Sequence, residues 1–424
     1  MNTIKRFRYF LVFLVPGFFA ACGVSSLGIS NYAQLYSNDL HLHPEYRVYH
    51  VSEDSTVLYF RVSTNNLLYN RSEKNADFQA RIKFEVKVFA SLDEKLPLIS
   101  DSIVFVDYDN TQRNKELIGS LKMAIPKGRN FICKTILTDL NRNSENIRFL
   151  RVFKEEGLIE RQGFLGYDDQ KIPIIGRIIK SQANLFVKYD LYEVKAIRFI
   201  TFRTLVRPAL PPFSDDTVSG ESLTIKSKYL INDSAGFFKV PVTESGSILF
   251  FQADSSISEG TTLLKFGDYY PSVSSGDDMV GPLRYLTTDD EFQQLLSAEN
   301  KKIAAENFWI RCCGSKERAK EVMKKFYRRV EEANEYFTSY KEGWKTDRGM
   351  IYVIFGQPNG LYMKETGENW VYGQDANMSQ INCLFGKVDN PFAENDLILQ
   401  RSQSYRPIWY AAIESWRTGR VFSL

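Results

Sequence analysis

The sequence predicts a multidomain chain in which two all-β, sandwich-like domains precede an α+β C-terminal domain. Three observations carry that expectation. Apolar residues alternate with period two in segment after segment between residues 46 and 266. Apolar residues at three- and four-residue steps become continuous only from Thr288 onward. All five tryptophans, Trp309, Trp344, Trp370, Trp409 and Trp416, fall in that last stretch. The expected divisions are residues 1–21, 22–44, 45–155, 156–285 and 286–424, and 424 residues suit about three domains.

Residues 1–21 read as an export signal rather than as part of the fold. Lys5, Arg6 and Arg8 give a positive start, and Tyr9 to Phe19 give a short apolar core. The following Ala20-Ala21-Cys22-Gly23 resembles a bacterial lipobox, although Phe19 stands where such boxes more often carry Leu. The resemblance makes Cys22 the lipid attachment residue and residues 22–44 a tether. Pro16-Gly17 interrupts an apolar run already short for a membrane span. An ordinary signal peptide or a short anchor is the other reading. No acidic residue follows in Gly23 to Ser26 to resemble an inner-membrane retention signal. The expected location is therefore the periplasmic face of the outer membrane in a Gram-negative envelope.

Composition is globular, with 44% hydrophobic, 25% charged and 14% aromatic residues. A net charge of +3 with scattered Lys and Arg argues against nucleic acid as a partner. The mature chain keeps Cys133, Cys312, Cys313 and Cys383 besides Cys22, with no Cys-x-x-Cys spacing for zinc or redox chemistry. Buried free thiols are expected.

In the first β-rich domain, strands are expected at Thr56–Val62, Ala80–Val88, Ser102–Tyr108, Glu116–Ile125, Asn130–Leu137 and Asn146–Phe153. The second should hold Asn184–Tyr192, Lys195–Arg203, Ser222–Leu230, Gly236–Val242, Ser247–Gln252 and Leu263–Phe266. The Pro-rich stretch from Pro208 to Asp216 must be a loop. Tyr270 to Pro282 reads as the connection to the last domain.

Thr288-Asp289-Asp290-Glu291 is a capping box opening a helix with Phe292, Leu295, Leu296 and Ile303 on one face. A longer helix is expected from Ser315, as N-cap, to Tyr340. Ala319, Val322, Met323, Phe326, Val330, Ala333 and Phe337 form its apolar face. Gly343 offers the left-handed residue at which such a helix stops. Trp344 then plugs the gap beside the helix end, while Thr346 and Asp347 satisfy backbone N–H groups at the corner. Arg348 is expected to pair with Asp347 or with a helix-end carbonyl. The apolar run Met350–Phe355 reads as a short buried strand. Gln357-Pro358-Asn359-Gly360 reads as a turn, and Glu368–Tyr372 as a returning strand.

The run Gly343-Trp344-x-Thr346-Asp347, with Arg348, Gly349 and the Gly-x-Pro that follows, resembles the signature of the bacterial GWxTD-domain family. Phe308-Trp309, Trp370, Tyr372, Trp409-Tyr410 and Trp416-Arg417 also look like family positions, so the likeness spans roughly residues 267 to 422. The family carries no agreed activity. Gly343, Trp344, Thr346, Asp347, Arg348, Gly349, Trp370 and Tyr372 are thus the candidate motif and binding residues.

Two readings of function stay open. In the first, the chain is a non-catalytic interaction or assembly module with an envelope protein as partner. In the second, the C-terminal domain binds or hydrolyses envelope glycan, with Asp347 and Glu365 or Glu368 as paired carboxylates and tryptophans as stacking platforms. No catalytic residue, cofactor or metal is assigned. The three histidines, His41, His43 and His50, lie within ten residues of one another near the expected tether, and the C-terminal domain holds none, which leaves it no Ser-His-Asp or Cys-His arrangement of its own. His41-x-His43 has only Glu45 near it and reads as a surface pair.

Overall fold

Period-two alternation becomes paired sheet throughout the N-terminal region. The computed structural model describes residues 27–37, 41–72, 75–108, 115–180, 184–204, 206–216, 223–241, 243–254, 256, 258–373 and 380–422. The expected export signal and Cys22 lie outside them.

In chain order the first region holds β1 (Glu45–His50), β2 (Ser55–Ser63), β3 (Asn70–Ser72), β4 (Asn75–Phe89), β5 (Ile99–Tyr108), β6 (Glu116–Ala124), β7 (Phe131–Asp139) and β8 (Ser144–Val152). They sort into a sheet β1–β2–β6 and a five-stranded sheet β3–β4–β7–β8, with β5 paired to β4 alone. Alternate residues of both sheets enter one buried cluster. Leu58, Phe60 and Val62 come from one sheet; Ile82, Phe84, Val86 and Cys133 come from the other. The rings of Phe60 and Phe84 meet at 4.8 Å.

The second region holds β9 (Phe164–Tyr167), β10 (Pro173–Ile174), β11 (Leu185–Tyr189), β12 (Ala196–Thr204), β13 (Leu223–Ile231), β14 (Phe237–Val240), β15 (Ser247–Gln252) and β16 (Thr261–Lys265). Its sheets, β10–β9–β11–β14 and β13–β12–β15–β16, close on Phe164, Val187, Phe199, Phe238 and Phe251. Every residue of β15 is buried. The reason is a second packed face: Ile200, Phe202, Ile248 and Phe250 meet Tyr340 and Phe392 of the C-terminal region. A strand covered on both faces reads as a continuous apolar run, as Ser247–Gln252 does.

The C-terminal region is mainly helical. It holds α1 (Gly276–Val280), α2 (Asp289–Ser297), α3 (Lys301–Cys313), α4 (Lys316–Phe337), α5 (Asp347–Phe355) and α6 (Arg406–Arg417). A sheet β17 (Gly360–Lys364), β18 (Gly367–Tyr372), β19 (Ile381–Lys387) and β20 (Leu397–Leu399) packs with them. The Thr288 capping box forms. The helix it opens ends at Ser297, however, and Ile303 belongs to α3, where Asn300 makes a new N-cap. Residues Ala298 to Asn300 break the single helix that apolar spacing suggests, leaving Leu296 and Ile303 exposed. Ser315 caps α4 as expected.

Residues 27–37, which fall inside the expected tether, pack against the C-terminal region. Tyr36 lies 4.9 Å from Phe337 and 5.4 Å from Trp370. Tyr32 N–H donates to Leu361 O at 2.8 Å. Among the described residues, no helix is long and apolar enough to cross a membrane.

Candidate functional site

The motif does not lead into a strand. Met350–Phe355 continues a nine-residue helix, α5, in which every residue is buried. A short apolar run looks the same as a buried strand or as a buried helix, and a helix apolar all round belongs in a core. The deciding signal is local. Thr346 Oγ1 accepts from Gly349 N–H at 3.0 Å as an N-cap, and Asp347 sits in the first turn. The same hydroxyl donates to Gly343 O at 2.7 Å.

Gly343 is not a left-handed helix stop. It has no positive φ, and α4 ends earlier, at Phe337. A Cβ on Gly343 would stand 1.9 Å from Ala333 O, so this glycine lets the chain lie against α4. Gly349 does the same one layer on, because its Cβ would stand 1.9 Å from Gly343 O. Both motif glycines are therefore close-approach residues.

Trp344 fills the corner, half-way between helix and loop. Its N–H donates to Asn334 Oδ1 at 3.1 Å and its carbonyl accepts from Tyr285 Oη at 2.8 Å. The indole lies 6.0 Å from the Tyr285 ring. Asp347 is 8% exposed and uses both carboxylate oxygens. Oδ2 accepts from Leu399 N–H at 2.8 Å and from Arg401 Nη1 at 3.1 Å, while Oδ1 accepts from Arg401 Nη2 at 2.7 Å. That fork ties α5 to the end of β20.

Arg348 pairs with neither Asp347 nor a helix-end carbonyl. It points to the opposite side, where Nη1 meets Glu368 Oε1 at 3.0 Å and Nη2 donates to Asn395 O at 2.6 Å. Its guanidinium also lies 5.2 Å from the Phe337 ring centroid. The carboxylate pair weighed from sequence is consequently not assembled. Glu368 is held by Arg348 and by Trp370 Nε1 at 2.8 Å, and Glu365 accepts from Leu92 N–H at 2.9 Å. Asp347 faces away from both, toward Arg401.

All five tryptophans are buried. Trp416 Nε1 donates to Ile354 O at 3.0 Å and its ring lies 5.4 Å from Phe326. Tyr372 Oη donates to Gly356 O at 2.8 Å. The four cysteines Cys133, Cys312, Cys313 and Cys383 are free thiols. Burial pushes the Cys383 thiol up to about 12. His43 stands 3.7 Å from Glu335.

Three residues with essential roles here escaped the sequence. Arg401 and Asn395 meet the motif across some fifty positions, and no local pattern marks them. Arg329, inside α4, donates to Val353 O and Ile354 O at 3.4 and 3.0 Å and so closes the C-terminus of α5. Only its place on the apolar side of an otherwise solvated charge pattern could have flagged it.

No curated protein matches the chain. Residues 247–418 match the family model described as the GWxTD domain. The match starts at β15, earlier than residue 267, in keeping with the way β15 packs against the helical region. Residues 247–418 of the chain form a GWxTD domain.

Proposed function

We propose that the chain is a lipid-anchored protein on the periplasmic face of the outer membrane, acting as a non-catalytic interaction or assembly module of the envelope. Its two β-rich regions, read as sandwich-like domains, form a rigid arm, and the GWxTD domain presents a surface to an envelope protein partner. One observation carries this reading. Every polar side chain of the motif is engaged in holding the fold, with both Asp347 oxygens committed to Leu399 and Arg401. The surface offers sites of another kind: edge strands β5 and β13 expose Val104, Val106 and Tyr108, and Ile225, Tyr229 and Ile231. Such edges suit the addition of a partner strand. The glycan alternative draws less support, because the indole rings are enclosed in the core rather than offered as stacking platforms.

The test is crosslinking in intact cells, followed by recovery of the full chain from membranes and identification of what is attached, with Cys22→Ser as control. One or a few specific envelope proteins, lost when Cys22→Ser releases the chain from membranes, are expected. Recovery of no specific protein would overturn the reading.

A further inference from the structure

A cleft of about 620 Å³ opens where the two β-rich regions meet the GWxTD domain. Its size falls in the range of small-molecule pockets. Five arginines converge on it from four parts of the fold: Arg47 of β1, Arg148 and Arg151 of β8, Arg177 beyond β10, and Arg348 of α5. With Lys364 and Lys387 they make seven cationic side chains against four glutamates, which leaves an excess of three positive charges.

The glutamates are already committed. Glu45 pairs with Arg61, Glu368 with Arg348, Glu394 with Arg177, and Glu335 stands beside His43. Arg47, Arg148 and Arg151 have no carboxylate within ion-pair reach among the described residues. Arg148 donates to Leu35 O at 3.0 Å and stacks on Tyr336. Arg47 is only 6% exposed; its Nη2 donates to Phe164 O at 3.0 Å, and its Nε has no partner. The Nε of Arg348 is likewise buried without one. Burial, and then the charge of Arg177, hold the Arg47 guanidinium down to about 10. Burial also lowers Arg151, outweighing the opposing charges of Glu365 and Glu394, neither of which reaches ion-pair distance. Unmatched buried guanidinium groups are costly unless an anion meets them. Between the cations the lining is apolar, with Tyr46, Val48, Ile132, Leu150, Ile178 and Met363.

We propose that this cleft binds a small anionic ligand, a phosphate or carboxylate headgroup carried on an apolar body. Arginine forks recognise either headgroup in a bidentate manner. The body would lie on the aliphatic and aromatic lining.

The test titrates the full chain, by calorimetry, with octyl phosphate, octanoate, inorganic phosphate and octyl glucoside, all below micellar concentration. Saturable one-to-one binding of octyl phosphate or octanoate is expected, with none for octyl glucoside. Arg47→Gln and the less buried Arg151→Gln should each weaken it about tenfold or more, with an unchanged far-ultraviolet circular dichroism spectrum and thermal transition confirming the fold. Should Arg47→Gln fail to fold, Arg151→Gln decides. Inorganic phosphate binding as tightly as octyl phosphate would support the anion site while placing its ligand among free anions rather than amphiphiles. Absence of saturable anion binding, equal binding of octyl glucoside, or unchanged affinity in folded Arg151→Gln would overturn the proposal.

Discussion

Replacing Asp347 by Ala removes the acceptor for two groups at once. Leu399 N–H, buried beside it, loses its partner, a loss worth about 1–3 kcal/mol. Arg401 loses a two-point ion pair, and breaking a buried pair from one side costs about 3–5 kcal/mol. The Arg401 side chain keeps 20% exposure and still donates to Leu210 O at 3.2 Å, so water and that carbonyl recover part of the second loss. About 4 kcal/mol is the expected net. For a cooperative unit the size of the GWxTD domain that is a fall in Tm of roughly 8–16 °C. Because all five tryptophans lie in this domain, their fluorescence during urea unfolding reads its stability alone. Asp347→Asn keeps one acceptor oxygen, enough for Leu399 N–H and one Arg401 nitrogen, loses the charge and the second contact to Arg401, and should lose less than Asp347→Ala. Arg401→Ala in the Asp347→Ala background should cost far less than in the native chain. An Asp347→Ala midpoint within about 0.5 kcal/mol of native would refute the reasoning.

Gly349→Ala places a methyl 1.9 Å from Gly343 O and should destabilise by about 3 kcal/mol or more, or abolish soluble expression; a native-like unfolding curve would contradict this. Glu291 is held down to about 2, first by its hydrogen bonds to Arg417. A carboxyl whose native pKa is depressed stabilises fully above its unfolded value and loses that contribution as pH falls through the native one. Glu291→Gln should therefore narrow the stability difference between pH 5 and pH 3, as read by tryptophan fluorescence. Among the four described thiols, half-buried Cys312 should react with an aromatic disulfide reagent in the native protein, whereas Cys133 and Cys383 should react only after unfolding.

Local patterns made much of this fold legible. The β2, β4 and β12 alternations, the continuous apolar run of β15, the Ser315 cap and the Thr288 capping box each depend on near neighbours, and each formed. Features that failed depended on what lies opposite in space. Met350–Phe355 is a helix because it is enclosed on every side, which apolar character alone does not distinguish from a strand. Gly343 is glycine because of Ala333 O, not because of its own φ. The Asp347–Arg401 and Arg348–Glu368 pairs join elements 54 and 20 positions apart, so residue type announced a need for partners without naming them. The packing of residues 27–37 beside Trp370 likewise had no marker in a stretch that reads as a linker.

The most direct test is crosslinking in intact cells carrying Asp347→Asn, with its tryptophan unfolding curve recorded at the same temperature. If the motif's work is to hold the domain together, the folded Asn variant retains the partner crosslinks of the native chain. A variant that is folded at that temperature yet has lost those crosslinks would place the chemistry of the carboxylate itself at the centre of function and contradict the account.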